Sequence, residues 1–390
     1  MPALSAEEEA HSSAVNALIR ERIRAAGGWI PFERFMELAL YAPGLGYYSA
    51  GSVKLGLGGD FVTAPEISDL FSRCVARQCA QVLAGGDEIL ELGAGTGRMA
   101  AVILESLAAL GKLPARYAIL EVSADLAERQ QRRLARLPRE IRERVVWLQR
   151  LPERPINGVI VANEVLDALP CRRFILRDGA VRELGVAEGG ETTPSSAAAF
   201  IEREAAPAEE LARAWAAVAG ALQAPLADGY ASEICTRVEP WIAAVAACLD
   251  RGLMLMFDYG LPRAHYYHAQ RTAGTLRCHF KQRVHDDPYS NIGVQDITAW
   301  VDFTRVAEAA VVCGLDVTGF CTQAAFLLAT GIEQLLAEST DTVEHARLAG
   351  EARRLLLPGE MGEAFKVMAL RRQCDVALAG FALQDLRHSL

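Results

Sequence analysis

One short stretch, residues 87–100, constrains the fold of this 390-residue chain more than any other. It begins with apolar residues in a β-like pattern, turns through Gly93, Gly95 and Gly97, and continues with helical periodicity. Glycine has no Cβ, so this turn can be tight and can let a ligand approach the main chain closely. Glu91 precedes the turn, at the end of the predicted strand. A strand that enters a helix in this way predicts a doubly wound α/β domain, with a ligand at the carboxyl ends of its strands.

Several ligands are compatible with a glycine turn of this kind. A phosphate-binding loop needs a lysine and a hydroxyl after the last glycine, which Arg98 and Met99 do not supply. A dinucleotide site needs a further glycine where Arg98 stands. The spacing Glu-x-Gly-x-Gly-x-Gly instead resembles motif I of the class I S-adenosylmethionine-dependent methyltransferases, whose cofactor carries no phosphate. The remaining alternative is that the glycines only turn a corner, and the surrounding sequence favours a cofactor over it.

Composition narrows the class of protein. The chain is 51% hydrophobic and 23% charged, which is typical of a globular protein. Its net charge of −9 argues against a general nucleic-acid binder and favours a cationic substrate. Nine scattered cysteines without ligand spacing indicate a reducing compartment. With no apolar run of membrane-span length and an N-terminus too acidic for a targeting peptide, we expect a cytoplasmic protein without membrane insertion.

A more specific motif lies upstream of the glycine turn. Residues 59–66 read Gly-Asp-Phe-Val-Thr-Ala-Pro-Glu. This phrase, at this distance from the glycine motif, resembles the MidA family of S-adenosylmethionine-dependent methyltransferases. That family acts on protein arginine, and its mitochondrial members assist assembly of respiratory complex I. The resemblance implies that Asp60, Thr63, Pro65 and Glu66 form a wall of the cofactor site.

The next predicted strand, residues 117–121, suggests where the cofactor ribose binds. It ends in Glu121, 24 residues after Gly97, and an acid there can accept both hydrogen bonds of a ribose diol. A surface carboxylate at a strand end is the alternative. The resemblance places the three glycines beside the methionine part of the cofactor and Glu91 near its ammonium group. The strand at residues 145–148 is not followed by the acid that many methyltransferases place near adenine, so adenine recognition stays open.

The candidate catalytic residues follow a fourth predicted strand. Residues 163–170 read Asn-Glu-Val-Leu-Asp-Ala-Leu-Pro and resemble the Asn-Glu-x-x-Asp-Ala-x-Pro signature of the MidA family. Glu164 and Asp167 are three residues apart, so one helical turn would place both on the same side. The resemblance adds Asn163 to the candidate catalytic residues. Two such carboxylates can bind a guanidinium in fork geometry. In the alternative, Asp167 caps a short helix and Glu164 is solvated. The more familiar arginine methyltransferases use a different two-glutamate loop.

The organisation predicted for the whole chain has three parts. Residues 1–84 form an N-terminal helical and glycine-rich segment that includes the cofactor wall. Residues 85–370 form a Rossmann-like methyltransferase domain, interrupted by an insertion at about 171–237 that we interpret as a substrate lid. A long loop at about 259–297 contains histidines whose spacing does not predict a metal site. Residues 371–390 form a C-terminal tail.

These expectations combine into one hypothesis. The residues alone predict an α/β enzyme with a small-molecule cofactor, and the resemblance adds S-adenosyl-L-methionine, methyl transfer and an arginine substrate. The implied partner is a protein, a quinone-module subunit of complex I. The alternatives are a small-molecule methyltransferase and an assembly chaperone that binds the cofactor without turnover. Neither metal nor nucleic acid is expected, and an oligomer is compatible with the sequence.

Overall fold

The structure is a computed structural model that describes residues 2–49, 62–189 and 200–390. The α-helices are α1 (Ala6–Ala25), α2 (Phe32–Tyr41), α3 (Ala64–Ile67), α4 (Asp69–Val82), α5 (Arg98–Ala109), α6 (Ala124–Leu134), α7 (Arg139–Arg142), α8 (Glu209–Ala221), α9 (Val238–Ala246), α10 (Arg263–Tyr266), α11 (Phe303–Val312), α12 (Gln323–Ala329), α13 (Ile332–Ala337) and α14 (Thr342–Leu356). The β-strands are β1 (Ile30–Pro31), β2 (Glu88–Leu92), β3 (Arg116–Leu120), β4 (Val145–Leu148), β5 (Ile156–Asn163), β6 (Arg172–Arg177), β7 (Ala180–Glu188), β8 (Phe200–Ala205), β9 (Ala231–Ile234), β10 (Leu249–Leu261), β11 (Arg277–Phe280), β12 (Arg283–His285), β13 (Asp296–Thr298), β14 (Val301–Asp302), β15 (Asp316–Thr322) and β16 (Phe365–Arg372).

The main sheet has the strand order β4-β3-β2-β5-β10-β16-β15, with β14 paired to the end of β10. Strands β4, β3, β2, β5 and β10 are parallel, and β16 is antiparallel to both of its neighbours. Along the chain, the first three parallel strands run outward in one direction and the next two in the other. The strand order therefore reverses between β2 and β5, where open α/β sheets bind their ligands. The predicted Rossmann-like, doubly wound fold is confirmed.

Both faces of this sheet are covered by helices. Successive side chains of a strand point to opposite faces, so neighbouring residues enter different cores. Ile89 and Val159 belong to the core under α4 and α5, whereas Leu90 and Ile160 belong to the core under α9 and α11. All four side chains are completely buried. This double coverage explains why the parallel strands read as continuous apolar runs.

The N-terminal segment and the insertion form one antiparallel sheet, with the order β1-β7-β6-β9 and β8 paired to β7. Strand β1 reaches this sheet from the N-terminal segment, where Ile30 pairs with Val186. The β6–β7 hairpin turns at Asp178 and Gly179, whose φ angles of 52° and 76° fit a two-residue hairpin turn. The insertion is therefore built onto the N-terminal segment and does not stand alone.

The segment at about 259–297 also joins this layer. The expectation of a long loop is wrong here, because the segment contains α10 and a three-stranded sheet of β12, β11 and β13. Phe32, Val186, Cys278 and Ile297 share one buried core, although they lie far apart in the sequence. We therefore propose that the N-terminal segment, the insertion and this segment form one layer over the main sheet.

The C-terminal tail packs against the edge of the main sheet. The Leu386 amide donates to the Phe320 carbonyl at 2.7 Å, and the Gly380 amide donates to the Gln78 side chain at 2.8 Å. These contacts give the tail a structural role that its sequence did not indicate. Among the residues that the structure describes, no helix is long and apolar enough to cross a membrane.

Candidate active site

A cavity of about 440 Å³ opens at the point where the strand order of the main sheet reverses. Its walls come from the glycine turn after β2, the ends of β3 and β5, the start of α3, the N-terminal segment and α9. The end near β4 is apolar and includes Leu151 and Trp241. Most of the predicted site residues line it: Thr63, Pro65, Glu66, Glu91, Gly93, Gly95, Glu121, Asn163 and Glu164. Gly97 and Asp167 do not, and Asp60 lies outside the described residues.

The three glycines of the turn have different surroundings. All have positive φ angles, 69° at Gly93, 52° at Gly95 and 77° at Gly97, a region that favours glycine. Gly93 and Gly95 line the cavity. A Cβ on Gly97 would instead lie 3.2 Å from the Cα of Gln130 on α6. Gly97 therefore permits close packing of α6 against the turn and the sharp entry into α5.

Glu91 is a buried carboxylate on the cavity wall. Its Oε2 accepts a hydrogen bond of 2.8 Å from the Tyr117 hydroxyl, and its Oε1 has no partner among the described residues. Burial raises the pKa of Glu91 to about 7. A buried acid with one unsatisfied oxygen suits a cationic group, so the residues present fit the ammonium of S-adenosylmethionine.

Glu121 is held in a fixed orientation at the end of β3. Its Oε1 accepts from the Ser123 amide and its Oε2 from the Gln130 side chain, both at 2.9 Å. Burial raises the pKa of this carboxyl. Two oriented oxygens at the cavity fit a ribose diol.

Gln130 is a further residue that supports the site, and none of the sequence motifs includes it. It is fully buried, donates to the Gly95 carbonyl at 2.9 Å and accepts from the Trp147 indole at 3.0 Å. A signal was present in the sequence. Gln130 lies four residues from both Leu126 and Leu134, on the apolar stripe of the helix.

The acidic segment after β5 is not helical, so the predicted helical turn is wrong. Glu164 has a φ angle of 53°, in the left-handed region. The backbone amides of Val165, Leu166 and Asp167 donate to Oδ2 of Asp258, at 3.2, 2.9 and 3.3 Å. The carboxylate of Asp258, near the end of β10, thus accepts hydrogen bonds from three consecutive backbone amides. In the first turn of a helix these amides would have no backbone partner. Here they are bound while the chain turns sharply after β5.

This turn separates the two predicted carboxylates. Glu164 borders the cavity, and Asn163 donates to its Oε1 at 3.1 Å. Burial and the nearby charge of Asp167 raise the pKa of Glu164 to about 8. Asp167 is buried behind the wall, where burial raises its pKa and a hydrogen bond from Tyr259 opposes the rise. The structure therefore does not form a two-carboxylate fork in the cavity.

Two tyrosines of the N-terminal segment contribute aromatic rings to the cavity wall. Tyr41 and Tyr48 border the cavity, and their rings are stacked with centroids 5.4 Å apart. The Tyr41 hydroxyl donates to the Ala168 carbonyl at 2.9 Å, and the Tyr48 hydroxyl donates to Asp296 at 2.9 Å. In the sequence, the adjacent Tyr47 and Tyr48 indicate only a partly polar aromatic surface.

The chain is similar to known proteins in sequence and in structure. Residues 74–321 match a family described as "Putative S-adenosyl-L-methionine-dependent methyltransferase". The mitochondrial protein arginine methyltransferase NDUFAF7 of Danio rerio is 26% identical over 402 residues, which cover 94% of this chain and 90% of the relative. The Drosophila melanogaster homolog is 28% identical and covers 95% and 87%. A crystal structure of a COG1565 superfamily member from Burkholderia thailandensis, bound to S-adenosyl-homocysteine, is 42% identical over 100% of both chains, with a TM-score of 0.92.

These likenesses correct the expected location. The curated relatives are named as mitochondrial proteins, so the expectation of a cytoplasmic protein is wrong. The cysteines of the structure are free thiols. Free thiols indicate a reducing environment but do not identify which compartment provides it.

Proposed function

The chain belongs to the S-adenosyl-L-methionine-dependent methyltransferase family, and from this premise we propose that it methylates an arginine side chain of a protein. The observation that carries the proposal is the half-buried carboxylate of Glu164, which borders the cavity and has its pKa raised to about 8. An acid in such a place suits a cationic acceptor that also has to lose a proton. The relatives named protein arginine methyltransferases support the same acceptor.

The proposed cofactor contacts divide along the cavity. S-adenosylmethionine supplies an electrophilic methyl group on its sulfonium, and loss of that methyl by cleavage of the S–C bond leaves the neutral thioether S-adenosyl-homocysteine. Glu91 would hold the ammonium of its methionine part, and Glu121 would hold the ribose. Gly93 and Gly95 would let the methionine part approach the main chain. Thr63, Pro65 and Glu66 would form another part of the wall of the cofactor site.

On the acceptor side, Glu164 would have two roles. Its ionised carboxylate would accept hydrogen bonds from the guanidinium and orient one nitrogen toward the methyl group. It would then take the proton that this nitrogen loses when the new N–C bond forms. Asn163 would hold the carboxylate in place through its bond to Oε1. Asp167 would be a positioning residue, which acts through its effect on the pKa of Glu164.

We further propose that the protein substrate is a quinone-module subunit of respiratory complex I. The support for this target is the resemblance of residues 59–66 and 163–170 to the MidA family. In that case methylation would serve assembly of the complex.

The test of the catalytic assignment is Glu164→Gln. Cofactor binding should survive, because the assigned cofactor contacts are unchanged, while methyl transfer should fall by about 10²–10⁴-fold, the usual range for a lost general base. Glu153→Gln is a matched control, since that side chain is exposed and lies outside the cavity. Loss of cofactor binding in a folded Glu164→Gln protein would refute the assigned roles.

The acceptor itself is tested with labelled cofactor and a lysate from a strain that lacks the protein. A single labelled protein band, with the label on arginine, supports the proposal. Label in the small-molecule fraction would indicate a small-molecule methyltransferase instead. No label, together with retained cofactor binding, would indicate an assembly chaperone that does not turn the cofactor over.

A further inference from the structure

We propose that Tyr41 and Tyr48 form an aromatic wall on which the acceptor guanidinium stacks. This pair would select the planar guanidinium over a tetrahedral ammonium. This inference rests on the proposed arginine methylation. Both rings border the same cavity as Glu164, and both come from the N-terminal segment. The rings would recognise the planar shape of the guanidinium, which the carboxylate of Glu164 alone cannot do.

The two rings are stacked on each other. Their planes are inclined by only 27° at a centroid distance of 5.4 Å, so the rings overlap and the stack offers its outer face to a ligand. Tyr47 is fully buried and packs its ring edge-on against Tyr48, with centroids 5.1 Å apart. The rings of Tyr41 and Tyr48 are themselves half-buried. A surface supported from behind in this way loses little conformational entropy when a ligand stacks on it.

Both hydroxyls are already engaged. Tyr41 donates to the carbonyl of Ala168, which belongs to the same turn as Glu164, so this ring is fixed relative to the carboxylate. Tyr48 donates to both oxygens of Asp296, at 2.9 and 3.0 Å. Burial raises the pKa of both phenols, so they remain neutral. The hydroxyl protons of both tyrosines are donated to Ala168 and Asp296. A ligand in the cavity would therefore contact a ring face and not a free hydroxyl proton.

The charges near the wall favour a cation. No arginine or lysine is found among the described residues that line the cavity, whereas Glu66, Glu91, Glu121 and Glu164 are. A cation over an aromatic face is attracted by the ring quadrupole, and guanidinium is the cation that also stacks flat on the ring. Its edge stays free for hydrogen bonds to Glu164. An ammonium has no flat face, so it gains less from the outer ring face of this stack.

The experiment measures binding of small cations to the full chain loaded with S-adenosyl-homocysteine. The probes are n-butylguanidinium, n-butylammonium and the neutral n-butylurea, followed by ligand-observed NMR titration. Tyr41→Leu and Tyr48→Leu remove a ring, whereas Tyr41→Phe and Tyr48→Phe keep it and remove only the hydroxyl. Tyr289→Leu is the matched control, because that half-buried tyrosine packs on Phe35 and does not border the cavity.

We expect n-butylguanidinium to bind more tightly than the other two probes. Each leucine variant should weaken its binding by about 5- to 30-fold, the loss expected for a partly desolvated cation–π contact. The phenylalanine variants should stay within about threefold, and Tyr289→Leu should bind like the unchanged protein. The Kd of S-adenosyl-homocysteine should stay the same in all of them, which shows that the cavity is intact.

The inference is overturned if guanidinium and urea bind equally well. It is also overturned if the leucine and phenylalanine variants lose the same affinity, or if S-adenosyl-homocysteine binding falls in parallel. These failures are distinct from failure of the proposed function. Label on arginine in the lysate, with an unchanged KM for the leucine variants, would leave arginine methylation standing without the aromatic wall.

Discussion

Gln130→Leu is the substitution that tests most directly how the fold holds the cofactor site. The buried amide of Gln130 joins the glycine turn, through the carbonyl of Gly95, to the carboxylate of Glu121. Its carbonyl also accepts from the indole of Trp147. Leucine has a similar volume and no hydrogen-bonding atoms. The substitution therefore removes three hydrogen bonds without opening a large cavity.

The size of the effect follows from these three bonds. A bond to an ionised group contributes about 1.5–3 kcal/mol and a neutral bond about 0.5–1.5 kcal/mol. We expect a loss of about 3 kcal/mol in the free energy of unfolding, near the lower end of the sum, because Glu121 keeps its bond from the Ser123 amide. With an unfolding entropy of about 2.1 cal/mol/K per residue, a chain of 390 residues should melt about 4 °C lower.

The cofactor site should suffer separately from the fold. Without Gln130, one oxygen of Glu121 loses the bond that orients it for the proposed ribose contact, and we expect about tenfold weaker binding of S-adenosyl-homocysteine, or about 1.4 kcal/mol. Calorimetric titration measures this loss, and thermal unfolding of the ligand-free protein measures the change in stability. Both measurements are made on the same preparation.

Gln78→Leu separates the two effects. Gln78 is also fully buried, donates to Gln81 at 2.9 Å and accepts from Gly380 at 2.8 Å, but it lies on α4 outside the cavity wall. It should lower the melting temperature by a few degrees and leave the affinity for S-adenosyl-homocysteine unchanged. The reasoning is refuted if Gln130→Leu binds the ligand as tightly as the unchanged protein, or if both variants lose the same affinity.

Two pH dependences are expected as well. The pKa of Glu164 in the free protein is about 8, and a guanidinium pairs only with the ionised carboxylate. We therefore expect kcat/KM for methyl transfer to rise as the pH increases toward about 8 and then to level off. A flat profile between about pH 6.5 and 9 would contradict this role of Glu164. Burial raises the pKa of Glu91 to about 7, so the folded, ligand-free protein binds a proton there that the unfolded chain has already released above about 4.5. Its contribution to stability should therefore fall as the pH rises from about 4.5 to 7, and the ammonium of S-adenosyl-homocysteine should reverse that fall by pairing with the ionised acid. Melting temperatures of the unchanged protein and Glu91→Gln, measured at pH 5 and 7.5 with and without ligand, check this, and identical pH dependences of the two proteins would contradict it.

The fold was predictable because its signals are local. Gly93, Gly95 and Gly97 need positive φ angles within five residues, and this requirement leaves few alternatives to a strand–turn–helix unit. The parallel strands are buried on both faces, so β5 and β10 read as apolar runs even without their neighbours. The acids at strand ends were predictable because parallel strands present their carboxyl ends to the ligand site. Glu91, Glu121 and Glu164 all line the cavity.

What could not be predicted depends on residues that are distant in the sequence. The turn at Glu164 exists because Asp258, more than ninety residues later, binds the amides of Val165 and Leu166. No local pattern around Glu164 contains that information, and its spacing to Asp167 pointed to a helix instead. The stacked tyrosine wall likewise depends on Asp296, which is 248 residues from Tyr48. Local periodicity identifies elements, but contacts of this range decide which side chains meet.

The candidate site contains several carboxylates without an arginine or lysine partner among the described residues, and the charge of its proposed ligands gives a physical reason for this composition. Glu91, Asp167 and Asp258 are deeply buried and Glu164 is half-buried, all in the cavity wall or directly behind it, and burial raises the pKa of each. Within the described ranges, no arginine or lysine forms an ion pair with any of them. An ionised carboxylate buried without a counter-ion costs several kcal/mol, so a fold selected only for stability would replace such acids with apolar residues. S-adenosylmethionine carries an ammonium, a sulfonium and a carboxylate, so it brings one net positive charge, and the proposed guanidinium would bring another. The excess of acids therefore agrees in sign with the charge of these ligands, and the raised pKa values favour protonated acids in the unliganded protein.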